Sequence, residues 1–346
     1  MTFLDPILDL FRGKAVTIPP MDGALKPNTA LDEAEVVVAA LAPDNIVRRG
    51  EDLLYSSGAE IRHIAPKTVV ASYGADITAL AASDDGKLAV ALDDGTVTVD
   101  GREIDGFTCP AALAFHGGAL FVCNGSDQVK PSAWASDLMH RNRSGSVWRV
   151  DLASGQRTKL AGGLGFANGL AIDEANSRIV VSESWRHRLV AIPMAGGRAV
   201  DVLPRLPAYP SRITPAEDGY LLCLFAPLNR LVEFVLQEDA YRLDMMREMD
   251  SQYWIAPSLS PASSFLEPLQ NGGVVSMGVF KPWSPSRSYG LVARLDWSFQ
   301  PIASYHSRAN GRFHGMTSAI AHEGAIIATS KGGNHIIRIA AAEGTS

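Results

Sequence analysis

Cysteine is scarce in this chain, with three residues at Cys109, Cys123 and Cys223, and no two stand in a CxxC pair. That implies no disulfide framework and gives no sign of a zinc knuckle or a redox dithiol; Cys109 and Cys123 could sit close on adjacent strands, but buried free thiols are the expected state. Basic surplus is also missing. Lys and Arg total 31 against 37 Asp and Glu, a net charge of −6, and a phosphate backbone is bound through clustered cations that release counterions. The one short basic run, His140-Arg-Asn-Arg143, reads as a solvated loop, and nucleic acid is not an expected partner. Long apolar runs are absent too: no stretch reaches the roughly 18 apolar residues a spanning helix needs. The first twelve residues carry Asp5 and Asp9 and lack a basic leader region, so the chain reads as cytoplasmic, with no membrane partner. Leu4, Ile7, Leu8 and Phe11 fit a helical stripe of the kind that caps a domain.

Apolar residues are plentiful instead, at 47%, with 20% charged, and the 346 residues can bury one large core. The recurring local pattern is an apolar strand, a tight turn and a second apolar strand, without intervening helices. It is plainest in Ser83-Asp-Asp-Gly-Lys-Leu-Ala-Val-Ala-Leu-Asp-Asp-Gly-Thr-Val-Thr-Val99. There two Asp-Gly turns bracket a strand, and Gly86 and Gly95 supply the positive φ such turns need. The same grammar recurs over residues 44–64, 112–122, 169–181, 213–222 and 318–327. Six degenerate strand-turn-strand units predict an all-β fold, a six-bladed β-propeller, in which each unit supplies the inner hairpin of a blade.

The uneven spacing of the units predicts inserts hanging from the blades, chiefly residues 125–144 and 237–271. The second insert holds the best helix candidate, Tyr241-Arg-Leu-Asp-Met-Met-Arg-Glu-Met249. Closing the ring needs a strand from each end. Glu35-Val-Val-Val-Ala-Ala40 is expected beside His335-Ile-Ile-Arg-Ile339, which hides both edges. The organisation is therefore an arm over 1–32, a propeller over 33–340 and a tail over 341–346.

Four segments together resemble the strictosidine-synthase-like family of propellers: Pro19-Pro-Met-Asp-Gly-Ala-Leu-Lys-Pro-Asn28, Phe166-Ala-Asn-Gly-Leu-Ala171, Val181-Ser-Glu-Ser-Trp-Arg-His-Arg-Leu189, and Tyr289-Gly-Leu-Val-Ala-Arg-Leu-Asp296 leading to Met316-Thr-Ser-Ala319. The resemblance implies relatives among calcium-dependent lactonases and phosphotriesterases of the gluconolactonase and paraoxonase type. In these, oxygen ligands from separate blades hold a calcium that polarises an ester or lactone carbonyl. Carried over by position, Asp44 and Asn168 match metal ligands, whereas Ala111 replaces an asparagine. Tyr209-Pro-Ser-Arg-Ile213 puts Ser211 and Arg212 where the family has an acid and an amide. A guanidinium beside a divalent cation is electrostatically unfavourable, so a weakened calcium site is expected. The plant synthase of this family uses a glutamate in its last blade where this chain has Thr317, so condensation of an amine with an aldehyde is not expected.

Among candidate groups, His314 near the channel mouth is either a general base or a loop histidine bonded to a carbonyl. Glu183 is expected to be a buried carboxylate that lines the site, paired with Arg186 or Arg212. Asn124 either reaches the channel or starts a turn, and Trp134, on the first insert, offers a ligand wall. Two functions follow. One is a small-molecule hydrolase of lactone or ester substrates, with His314 and Glu183 as catalytic groups, Arg212, Ser211, Asn124, Trp134 and Thr317 on the substrate, and Asp44 and Asn168 on a divalent cation. The other is a non-catalytic propeller that binds a small acidic metabolite or a protein partner through Arg212 and the 125–144 loop.

Overall fold

The Asp-Gly and Glu-Gly dipeptides do close antiparallel hairpins, with Gly86, Gly95 and Gly324 at positive φ. The protein is seen in a computed structural model that describes residues 16–263, 273–276, 279–282 and 286–340. Six four-stranded antiparallel sheets cover residues 43–72, 77–104, 110–164, 167–203, 208–307, and 316–340 together with Glu35–Ala39. Five are meanders running outward from an innermost first strand, and the sixth takes Glu35–Ala39 as its outermost strand. The chain is thus a six-bladed β-propeller, numbered here as blades one to six from Pro43. Closure follows the expected pairing, with Glu35 opposite Arg338 and Ala39 opposite His335.

Each blade is covered on both faces by its neighbours, which explains why second strands are apolar without alternation. Gly219–Pro227 is buried along all nine residues and Leu88–Leu92 along all five. The outermost strands meet solvent, as in the mostly exposed Val69–Ser72. The core is accordingly six inter-blade layers rather than one mass: Leu54, Ile61, Leu80 and Val90 join blades one and two, and Val38, Ile46, Ile327 and Ile336 join blades six and one. All three cysteines are buried and free. Among the described residues no helix is long and apolar enough to cross a membrane.

The arm, from residue 16 on, packs against blade five. Asn28 donates to the Ser304 carbonyl at 2.9 Å and accepts from the His306 amide at 3.0 Å, and Leu31 is fully buried. Leu4, Ile7, Leu8 and Phe11 and the tail 341–346 lie outside the described residues. The first insert carries a short helix, α1 (Trp134–Met139). The second opens earlier than Gln237: it begins after Pro227 with α2 (Arg230–Gln237), whose first turn is capped by the Asn229 side chain accepting from the Leu231 amide at 2.8 Å. Helix α3 (Asp239–Glu248) follows, where the sequence predicts one. Val232, Val235, Leu236 and Met245 pack with Tyr209 and Phe225 to form a cap over blades four and five.

Candidate functional site

Every inner strand has the same irregularity, a shift of register against its second strand close to its start. The shifts fall at Pro43/Ile46, Ile77/Ala79, Pro110/Ala112, Ala167/Gly169, Pro210/Ile213 and Met316/Ser318. Such bulges re-aim side chains and recur beside functional sites. The residues within the shifts include Asp44, Thr78, Ala111, Asn168, Ser211, Arg212 and Thr317, and all seven line one cavity of about 330 Å³ at one end of the central channel. Hairpin geometry brings the ends of the second strands to the same mouth, and these contribute Asp93, Trp185, Phe225 and Lys331. The crowding explains the glycine of Phe166-Ala-Asn-Gly169: a Cβ at Gly169 would stand 2.4 Å from the Ser211 carbonyl of the next blade.

The polar wall is built on Asp44, whose side chain is 11% exposed. Its Oδ1 accepts from Arg212 Nη1 at 2.8 Å and its Oδ2 from Lys331 Nζ at 2.6 Å. Burial raises the carboxyl's pKa, but attraction to Arg212 and Lys331, with their hydrogen bonds, more than offsets this and holds it below the ordinary value. Arg212 also donates to the carbonyls of Thr78 and Thr317. The resemblance implies a divalent cation here, and the residues present do not fit one. Asp44 is the one carboxylate among the residues within the shifts, Asp76 and Asp93 lying outside them, and both its oxygens face a cation, so an ion added there would meet Arg212 and Lys331 head-on.

The opposite wall is aromatic. Trp134 lies 6.2 Å from Trp185 and 5.5 Å from Phe225, and Phe166 packs at 4.6 Å on Trp185. Phe166 is held in the left-handed region at φ 62°, a strained conformation for a bulky residue that its surroundings must enforce. The first insert carries Trp134 across from blade three and is pinned at both ends. Asp93 of blade two accepts from the Ser132 amide at 2.6 Å and from Lys130 at 2.9 Å, and Asp137 accepts from Trp185 Nε1 of blade four at 2.7 Å. Leu259, from the second insert, lies along the edge. Its carbonyl passes so close to blade six that a Cβ at Gly332 would stand 1.8 Å away.

Of the residues singled out from sequence, Asp44, Asn168, Ser211, Arg212, Thr317 and Trp134 come together in this lining. Three others do not line it. Fully buried His314 sits behind blade six, with Nδ1 against Ser288 Oγ at 2.7 Å and Nε2 against the Arg308 carbonyl at 2.9 Å. Both ring nitrogens are thus engaged, and burial lowers its pKa. Glu183, 0% exposed, accepts from the Gly165 amide at 2.7 Å and from Arg188 Nε at 2.6 Å, and pairs with Arg186 at 3.0 Å. Its partners are therefore Arg186 and Arg188, not Arg212. Asn124 accepts from the Thr108 and Cys109 amides and donates to the Ser126 carbonyl, which is the turn role. Arg212 spends its fork on Asp44 and backbone rather than leaving it open to a ligand. Lys331, Asp93, Trp185, Phe225, Phe166 and Asp76 were not among those candidates; the signal for the first four was their place at or near second-strand ends, which must share a mouth with first-strand starts, and Phe166 and Asp76 directly precede first strands.

No family model matches the chain, and no curated protein matches it. Among solved structures, one similar to it is that titled "Crystal structure of Nidogen/Laminin Complex", at 15% identity and a TM-score of 0.44, covering 54% of this chain and 73% of that one. A likeness at this level carries no argument about function.

Proposed function

We propose that this propeller binds, at the Asp44–Lys331 mouth of its channel, a small organic molecule with a flat apolar body and a carboxylate. The observation that carries the reading is the two-sided cavity. Trp134, Phe166, Trp185 and Phe225 form one wall, and the polar lining holds the Arg212–Asp44–Lys331 cluster together with Asp76 and Asp93. Asp93 is engaged by Lys130 and Ser132, and the anchor for an acid is Lys331, which is 32% exposed and has donors left after bonding Asp44. At about 330 Å³ the cavity lies at the lower end of ligand-pocket sizes.

Binding is favoured over ester or lactone hydrolysis by the state of the lining hydroxyls. Thr78 donates to the Pro110 carbonyl, Ser132 to Asp93, Ser211 to the Thr317 carbonyl and Thr317 to the Asp44 carbonyl. Among the described residues no histidine lines this cavity, so the usual base for an activated hydroxyl is not in place. The strictosidine-synthase-like resemblance supports the propeller setting without supplying the chemistry.

Calorimetry with a panel of aromatic carboxylates and their neutral amides tests the proposal. Carboxylates should bind, amides should bind at least tenfold more weakly, and Lys331→Met should erase the difference. Equal binding of both sets, or turnover of lactones and aryl esters by the wild type, would overturn it.

A further inference from the structure

We infer that Arg212 is the resident cation of this channel, a covalently tethered group that takes the central position an oxygen-coordinated metal ion would hold. The inference goes beyond ligand binding at the mouth and does not depend on it. The guanidinium comes from blade five and donates to Asp44 Oδ1 at 2.8 Å and the Asp44 carbonyl at 3.5 Å in blade one. It also donates to the Thr78 carbonyl in blade two and to the Thr317 carbonyl at 3.3 Å in blade six. Four oxygens, one of them anionic, from three blades form the kind of all-oxygen shell that hard cations take. A planar fork fills it with directed bonds, stapling four of the six blades across the axis.

Arg212 has a second property that none of its neighbours shares. Among the described residues it alone lines both the 330 Å³ cavity and the larger one, of about 1060 Å³, at the other end of the channel. The side chain is 13% exposed, so its guanidinium is the partition between the two mouths. Because the cation is tethered, its occupancy does not depend on free metal concentration, and with Arg212 and Lys331 on its two oxygens Asp44 has none left for a second cation. The wild-type protein is therefore indifferent to calcium and to chelators. Removing the guanidinium should open the channel from end to end and expose the oxygen shell.

The test uses the full-length protein, with thermal unfolding and tryptophan-sensitised terbium luminescence as readouts, Trp185 and Trp134 being the donors in the adjoining wall. Wild type should show no calcium- or EDTA-dependent shift in melting and no calcium-displaceable terbium signal. Arg212→Ala should melt lower and recover part of the loss with millimolar methylguanidinium, which can re-enter the shell. Arg212→Asp, which changes the local charge by two units, should bind one terbium per chain at least tenfold more tightly than wild type, displaceable by calcium. Stoichiometric calcium in the wild type would overturn the inference. So would an Arg212→Ala protein of wild-type stability that neither cation affects. Should Arg212→Ala not fold, Arg212→Lys decides: a folded, calcium-indifferent lysine variant supports a tethered cation, and a calcium-binding one refutes it.

Discussion

Replacing Asp44 by asparagine keeps the shape at the channel ring and removes the anion that Arg212 and Lys331 share, so it measures what that charge cluster contributes. In the wild type the carboxylate neutralises Arg212 at 2.8 Å and Lys331 at 2.6 Å. Breaking a buried pair by removing one partner costs about 3–5 kcal/mol, because an uncompensated charge is left behind. Lys331 is about one-third exposed and can turn toward water, whereas Arg212 cannot leave the axis but keeps its carbonyl partners. The lower end of that range, ~3 kcal/mol, is therefore expected at neutral pH. The pH dependence has a definite sign. Asp44 has a folded pKa below its ordinary 3.8, so its stabilisation is fully present above that value and disappears as pH falls through the folded one. Urea unfolding of wild type and Asp44→Asn should thus show a gap of ~3 kcal/mol near pH 7 that narrows only below about pH 4. A gap under ~1 kcal/mol at pH 7, or one already closing at pH 6, would refute the reasoning.

Glu183→Gln should destabilise by about 3–5 kcal/mol, since Arg186 and Arg188 lose their buried counter-charge; ligand affinity measured on the folded variant should not change. His187 and His306 are each held neutral with pKa lowered to about 4, by burial in both cases and for His306 also by Arg308. Their contribution is present above the unfolded value of 6.5 and is lost as pH falls from there toward 4, so unfolding followed at pH 7 and pH 5 should show a weaker fold at pH 5, by roughly 2 kcal/mol for each histidine. Val38→Asp puts a charge into the layer between blades six and one; a loss of ~3 kcal/mol or more in urea unfolding is expected, and none would deny that Glu35–Ala39 closes the ring.

Much of this architecture is local in origin. Short polar or glycine turns between apolar runs count the blades, and the edge strand Glu35–Ala39 satisfies its backbone by pairing with the free side of His335–Ala340. Helix α2 was not foreseen, because Leu231, Val232, Phe234, Val235 and Leu236 fill it with residues that short strands also use. Asp44, Asn168, Ser211, Arg212 and Thr317, at the starts of first strands, were legible as channel residues through what the strictosidine-synthase-like resemblance implies for those positions. What each of them does there was decided by the tertiary structure. Whether Arg212 meets a ligand or the blades depends on which oxygens reach the axis, and those come from residues 44, 78 and 317, far apart in the chain. Lys331 and the Trp134–Trp185–Phe225 wall exist only because a blade-three insert crosses to blades two and four and because the second strands end where the first begin. Sequence periodicity records how a strand pairs with its neighbour, whereas a channel site is made by six strands that never pair with one another.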